Sequence, residues 1–211
     1  GANVAIFSII NGVLIKPLAY PESNRLVAVW QGSHTLNLPK FELSASQYLT
    51  FRDESRTFQA FGIWDRESVS VMGVGDPEQV RGVSVADGTF EALGIAPLVG
   101  HWFSAEEHAA GAPDTVILTY GFWQRKFGGA RNVIGQTLQV NGRSAEIVGV
   151  MPQDFRFLEV KPELILPMKF DRSKTVLGGF NYSGIGRMKP GATLQSVRDD
   201  IARMIPLVHE R

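Results

Sequence analysis

Residues 134–157, IGQTLQVNGRSAEIVGVMPQDFRF, read as a β-hairpin and set the class of the fold. On the first arm Thr137, Gln139 and Asn141 alternate with Leu138, Val140 and Gly142, and on the second Glu146 alternates with Ile147, Val148 and Val150. Asn141-Gly142 between the arms tolerates the positive φ angles of a tight hairpin turn. Met151-Pro152 ends the second arm, since proline cannot donate to a sheet ladder. The hairpin offers no nucleophile, base or metal-ligand set, so it reads as scaffold.

Around this hairpin lie 211 residues, enough for one large domain or two small ones. Apolar and aromatic content is that of a folded protein. Lysine plus arginine and aspartate plus glutamate balance at 21 each, leaving no excess positive charge to follow a phosphate backbone, which argues against nucleic acid as a partner. Cysteine is absent, which excludes disulfides, thiol nucleophiles and zinc ribbons and leaves the compartment open.

Upstream, residues 1–15, GANVAIFSIINGVLI, form the most apolar run. A spanning helix needs about 20 apolar residues, and the run lacks the basic leader and cleavage site of a signal peptide. Two readings stand: an amphipathic core helix with Asn3, Ser8 and Asn11 as its polar stripe, or the last turns of a transmembrane helix. Lys16-Pro17 and Tyr20-Pro21 then suit either a membrane boundary or an ordinary helix stop.

Residues 25–31 read as a strand and 32–43 as a loop. Ser44 and Gln47 form a capping box for a helix whose stripe is Tyr48, Phe51, Ser55 and Phe58, closed by Phe61-Gly62. Strands are expected over 68–74 and 79–85, and a short helix over 87–94 capped by Asp87 and stopped by Gly94. A second capping box begins at Ser104. A strand follows over 115–119, then helical turns in YGFWQRKFGG, and after the hairpin a strand over 163–168 whose Pro167 suggests a sheet edge. Residues 169–181 read as a connection and 182–188 as a strand. Thr193 caps a last helix with Leu194, Val197, Ile201 and Met204 on one face, which Pro206 should kink or end. Strand pairs mixed with helices in no strict βαβα order place the chain in the α+β class.

Candidate chemistry is thin. His101 and His108, with Glu106 and Glu107 between them, are the one close group of metal-ligand types, and their spacing suits a solvated loop better than a site; His34 and His209 stand alone. Ser8, Ser70 and Ser84 lack the flanking glycines of a nucleophile elbow. Gly73-Val-Gly75 and Gly184-Ile-Gly186 read as strand-end and close-packing glycines, and no Walker lysine motif occurs. Arg125, Lys126 and Arg131 make the best basic spot, read as a solvated helix face. The residues assign no catalytic, cofactor-binding or metal site.

Three stretches resemble one family. GANVAIFSIINGVLIKPLAYPESNRLVAVW is similar to the segment where the first transmembrane helix of bacterial ABC-type permeases enters its extracytoplasmic domain. YGFWQRKFGGARNVIGQTLQVNGRSAEIVGVMPQDFRF resembles the middle of the MacB-like periplasmic core domain, and GRMKPGATLQSVRDDIARM its closing strand, turn and helix. The likeness is greatest to the acidobacterial-type permeases of the FtsX and MacB superfamily. It implies a two-lobed α+β domain: residues 1–24 as the end of a transmembrane or stalk helix and linker, 25–85 with 182–211 as a porter-like lobe, and 86–181 as an inserted mixed α/β lobe. It also implies a non-catalytic domain on the periplasmic side of the inner membrane, without cofactors. Its implied partners are the permease's own membrane helices, a cytoplasmic ABC ATPase, a periplasmic adaptor, and a second copy in the full-length protein. The rival readings are a small-ligand or sensor domain using Trp64, Trp102 and Trp123, and a peptidase-like hydrolase.

Overall fold

The computed structural model describes residues 6–11, 20–33, 38–175, 179 and 181–208. Along the chain the strands are β1 (Ile6–Asn11), β2 (Leu26–Ser33), β3 (Leu38–Phe41), β4 (Phe58–Met72), β5 (Glu78–Val85) and β6 (Val99–Gly100). They continue as β7 (Asp114–Leu118), β8 (Thr137–Val140), β9 (Arg143–Val150), β10 (Leu164–Pro167) and β11 (Ser183–Met188). The helices are α1 (Ala45–Glu54), α2 (Thr89–Leu93), α3 (Tyr120–Phe127) and α4 (Leu194–Val208). Two compact units result: Gly1–Trp64, Gly88–Gly94 and Asp171–Arg211 form the first, Asp65–Asp87 and Ile95–Phe170 the second. The sequence placed these boundaries after residues 85 and 181. In the structure the second unit begins within β4, whose later half it contains, leaves out α2, which belongs to the first, and ends at Phe170.

In the first unit the strands run β1-β2-β11-β4, antiparallel throughout, and β3 adds to β2. Val197, Ile201, Met204 and Val208 form the buried stripe of α4, which lies against α1. The two glycines of β11 let neighbours close in. A Cβ at Gly184 would lie 2.6 Å from Leu43 Cδ1 and 2.8 Å from the Val29 carbonyl, and one at Gly186 would lie 2.5 Å from the Phe58 ring.

Several expectations are corrected here. Ile6–Asn11 is a strand paired from Ile6↔Gly32 to Asn11↔Val27, and not part of a helix. Six residues with Ile6, Ile9 and Ile10 suit a strand, and apolar runs this short carry no decisive period. Residues 1–5 and 12–19 of the same expectation lie outside the described residues, and Ser23–Arg25 is a single 3-10 turn. Among the described residues no helix is long and apolar enough to cross a membrane. Helix α1 ends at Glu54, so Phe58 and Phe61 sit on β4. Part of the 32–43 loop is β3. Helix α2 is capped by Gly88 in place of Asp87. Helix α4 runs through Pro206, which sits on its exposed side one turn from the end, where the missing N–H costs one terminal bond.

The second unit closes on itself. Antiparallel and parallel pairings lead from β4 to β5, β10, β7, β9 and β8, and β8 pairs back to β4 at Val71↔Val140 and Met72↔Gln139. Alternate residues of these strands, among them Val69, Val71, Val116, Leu118, Leu138, Val140, Ala145 and Ile147, form one buried cluster, with Phe122 and Trp123 of α3 packed into it. The hairpin turn takes the expected form, with φ of 51° at Asn141 and 76° at Gly142. Pro167, expected at an edge, is on an interior strand. It is the last residue of β10 and pairs with Val85 of β5, beyond the two residues that pair with β7.

Candidate functional site

Two buried charges organise the first unit. Asp200 lies on the buried side of α4, its side chain 4 % exposed. Its Oδ2 accepts from Ser55 Oγ (2.9 Å), the Arg56 and Thr57 amides (2.7 and 3.1 Å) and Thr57 Oγ1 (3.0 Å). Its Oδ1 accepts from Arg203 Nε and Nη2 (3.0 and 2.7 Å), and Nη2 also donates to the Glu54 carbonyl. Burial pushes this carboxyl up, and the donors, Arg203 foremost, outweigh it and hold the pKa below the usual aspartate value. This carboxylate captures the amides that follow Ser55, which is why α1 stops there.

Arg187 of β11 is buried and turned onto carbonyls. Its Nε donates to Ala92 (2.7 Å), its Nη2 to Pro21 (2.9 Å) and Leu93 (3.4 Å), and its Nη1 to Glu22 (3.4 Å). Burial, with Arg25 nearby, lowers its pKa from the ordinary value. The guanidinium thereby ties the carbonyl end of α2, the negative end of its dipole, to the chain entering β2. Neither charge was singled out in the sequence. The available signal was an aspartate in phase with the apolar stripe of α4 and an arginine inside an otherwise apolar strand.

In the second unit the basic spot is neutralised. Arg125 meets Glu78 at 2.9 Å and Glu163 at 2.5 Å, and Lys126 meets Glu78 at 2.7 Å. Hydrogen bonds from Lys126 and Arg125 lower the Glu78 pKa. Arg131 is exposed in a 3-10 turn. His101 is exposed and lies 3.8 Å from Glu107, whose carboxylate caps Ser104 N at 2.7 Å. His108 donates to the Met168 carbonyl at 2.9 Å and stands edge-on to Phe103. The two histidines serve separate partners, and among the described residues no group of three or more ligand types could hold a metal. His34 and His209 lie outside the described residues. Ser70 donates its amide to Asn141 Oδ1, and Ser84 donates to Glu67. Trp123 is buried with Nε1 on the Ala130 carbonyl (3.0 Å), while Trp64 and Trp102 are half-buried in different units.

One concavity of about 400 Å³ opens in the second unit between the start of α3 and the loop after β9. Tyr120, Gly121, Phe155, Phe157 and Val160 are among its lining residues. Arg156 and Lys161 stand exposed among the lining residues. Leu158, within the loop, has φ of 50°. Arg156 donates to the Phe155 carbonyl at 2.8 Å. Sequence reasoning missed this site because its parts meet only when α3 folds beside residues 152–162.

The fold is that of known periplasmic domains. It resembles the periplasmic region of MacB from Actinobacillus actinomycetemcomitans (TM-score 0.64, 14% identity, 89% of this chain and 85% of that one). It also resembles a domain of a putative permease from Porphyromonas gingivalis (0.68, 18%, 90% and 87%). The extracellular domain of the noncanonical ABC-type transporter YknZ from Gram-positive bacteria aligns at 0.52 (15%, 78% and 90%). No curated protein matches by sequence. The profile of the MacB-like periplasmic core domain matches residues 1–204, and the chain belongs to that family, as the extracytoplasmic domain of an ABC transporter permease.

Proposed function

We propose that this domain is a non-catalytic coupler: it passes ATP-driven motion of the permease's membrane helices to substrate export or to partner proteins on the periplasmic side of a bacterial inner membrane. The match of the family profile over residues 1–204 carries this reading. Strand β1 and helix α4, the described elements nearest the two termini, belong to the first unit, which suits a unit that receives motion from the permease's membrane helices. Arg187 supports it too, since it fixes the chain that enters β2 to the strand that leads to α4. Membership of an ABC permease family points to a cytoplasmic ATPase as the source of energy. A periplasmic adaptor and a second copy of the permease complete the assembly.

Two readouts test this. In the full-length protein, alkaline phosphatase inserted after Gly142, in the exposed hairpin turn, should be active and a cytoplasmic reporter there silent; the reverse overturns the location. In a reconstituted transporter, a nanobody raised against this domain and added from outside should change ATP turnover on the other face. Unchanged turnover at saturation would overturn the coupling.

A further inference from the structure

We propose that the cleft between the start of α3 and residues 152–162 docks a segment of a partner protein in which a carboxylate adjoins an aromatic or branched apolar side chain. Its volume, about 400 Å³, lies within the roughly 300–1,000 Å³ of ligand-sized sites. The floor is apolar: Phe157 is fully buried, and Phe155, Val160 and Tyr120 are half-buried, so an entering ring or isobutyl group would cover surface now wet.

The charge of the rim selects the rest of the ligand. The second unit has 12 carboxylates and 9 lysines and arginines, yet the cleft is lined by Arg156 and Lys161 and by no carboxylate. Elsewhere in the unit Arg125, Lys126, Arg143 and Lys169 each meet a carboxylate within 3 Å, while Arg81 and Arg131, exposed like Lys161, do not line the cleft. Lys161 is exposed and has no ion pair or hydrogen bond among the described residues. A cation left over in an acidic unit, beside an apolar floor, complements an acid with an apolar neighbour.

The loop is held ready. Pro152 and Pro162 bracket it, and the Val160 amide bonds to the Phe157 carbonyl at 2.8 Å. That turn forces Leu158 to its positive φ, a strained choice for a bulky residue and of a kind that clusters at binding sites. A Cβ added to Gly121 would meet nothing within 4 Å, so the lining leaves open space there. A bilayer suits the site less well, because Met72 and Leu98, the exposed large apolar side chains among the described residues, do not line it. The preference for acid next to apolar stands on the cleft alone, and the choice of a protein over a free acid rests on the coupling to partner proteins proposed above.

The test titrates the whole chain with a labelled peptide, Gly-Ser-Asp-Phe-Asp-Leu-Ser-Gly, with its analogue carrying Asn for Asp, and with phenylacetate. The acidic peptide should shift the amide resonances of Gly121, Phe157 and Lys161, and the Asn analogue should bind about tenfold more weakly. Lys161→Glu removes no hydrogen bond or ion pair among the described residues and should weaken binding by a similar factor. Gly121→Trp fills the open space and should abolish binding with the melting temperature unchanged. Equal binding of the Asn analogue, or unaltered binding by both variants, overturns the proposal. Displacement of the peptide by equimolar phenylacetate overturns the protein partner and leaves a small-acid site. Reporter location and nanobody-sensitive ATP turnover are separate measurements, so failure of the coupling and failure of this site are distinguishable.

Discussion

A carboxylate withdrawn from water needs donors, and Asp200 receives four on one oxygen and two on the other. Asp200→Asn keeps the shape, removes the charge and turns an NH2 group toward existing donors. The expected loss is about 3 kcal/mol at pH 7, the scale for breaking a buried, hydrogen-bonded charge. Because the folded pKa is below the unfolded one, the stabilisation is complete above the ordinary aspartate range and is lost as pH falls through the folded pKa. Urea denaturation of parent and variant at pH 7, 5 and 3 should therefore show a gap that is equal at 7 and 5 and narrower at 3. A gap independent of pH would mean that the NH2 group facing other donors, and not the lost charge, sets the cost.

At the scale of elements, local chemistry was readable wherever a few adjacent residues decide it. Ser44 with Gln47, Ser104 with Glu107 and Thr193 with Ser196 each form the bonds of a capped helix or turn. Where the decision comes from far along the chain, the sequence misled. Tyr48, Phe51, Ser55 and Phe58 keep helical spacing, but a carboxylate more than 140 positions away ends α1. Gly88 replaces Asp87 as the α2 cap because the backbone there is left-handed and approaches Phe61 closely, a contact between distant segments. The cleft residues Arg156 and Lys161 were invisible for the same reason.

The hairpin illustrates both kinds of information. Asn141 makes the turn locally, and it also exchanges two 2.9 Å bonds with Ser70, through its amide N–H and its Oδ1, beside the β8–β4 pairing that completes the ring of strands. Asn141→Gly should lose about 1 kcal/mol with the side-chain acceptor. Asn141→Ala should lose roughly 2 kcal/mol, since the positive φ adds a further ~1 kcal/mol. Urea midpoints of the two variants check the order; equal midpoints would show that the turn geometry contributes nothing.

For the whole molecule the sharpest question is where the second unit begins. A fragment of residues 86–181 lacks β4 and β5, two of the six strands of the closed ring, and exposes the apolar cluster they cover. A fragment of residues 65–170 has all six. The second should give a dispersed amide spectrum and a near-ultraviolet signal from Trp123, and the first should give neither. A folded 86–181 fragment would show that the ring is not the cooperative unit.

Helix α2 lies between the two stretches of the second unit but belongs to the first, where Arg187 binds its last carbonyls. In evolutionary terms this makes the inserted unit a poor cassette. Recombination at two cut points cannot exchange it cleanly, because the donor segment must carry seven residues that fit the recipient's core. Descendants of an ancestral permease would thus diversify the second unit by substitution and by loop length, while the short helix between its two stretches drifts with the first unit, in which it packs.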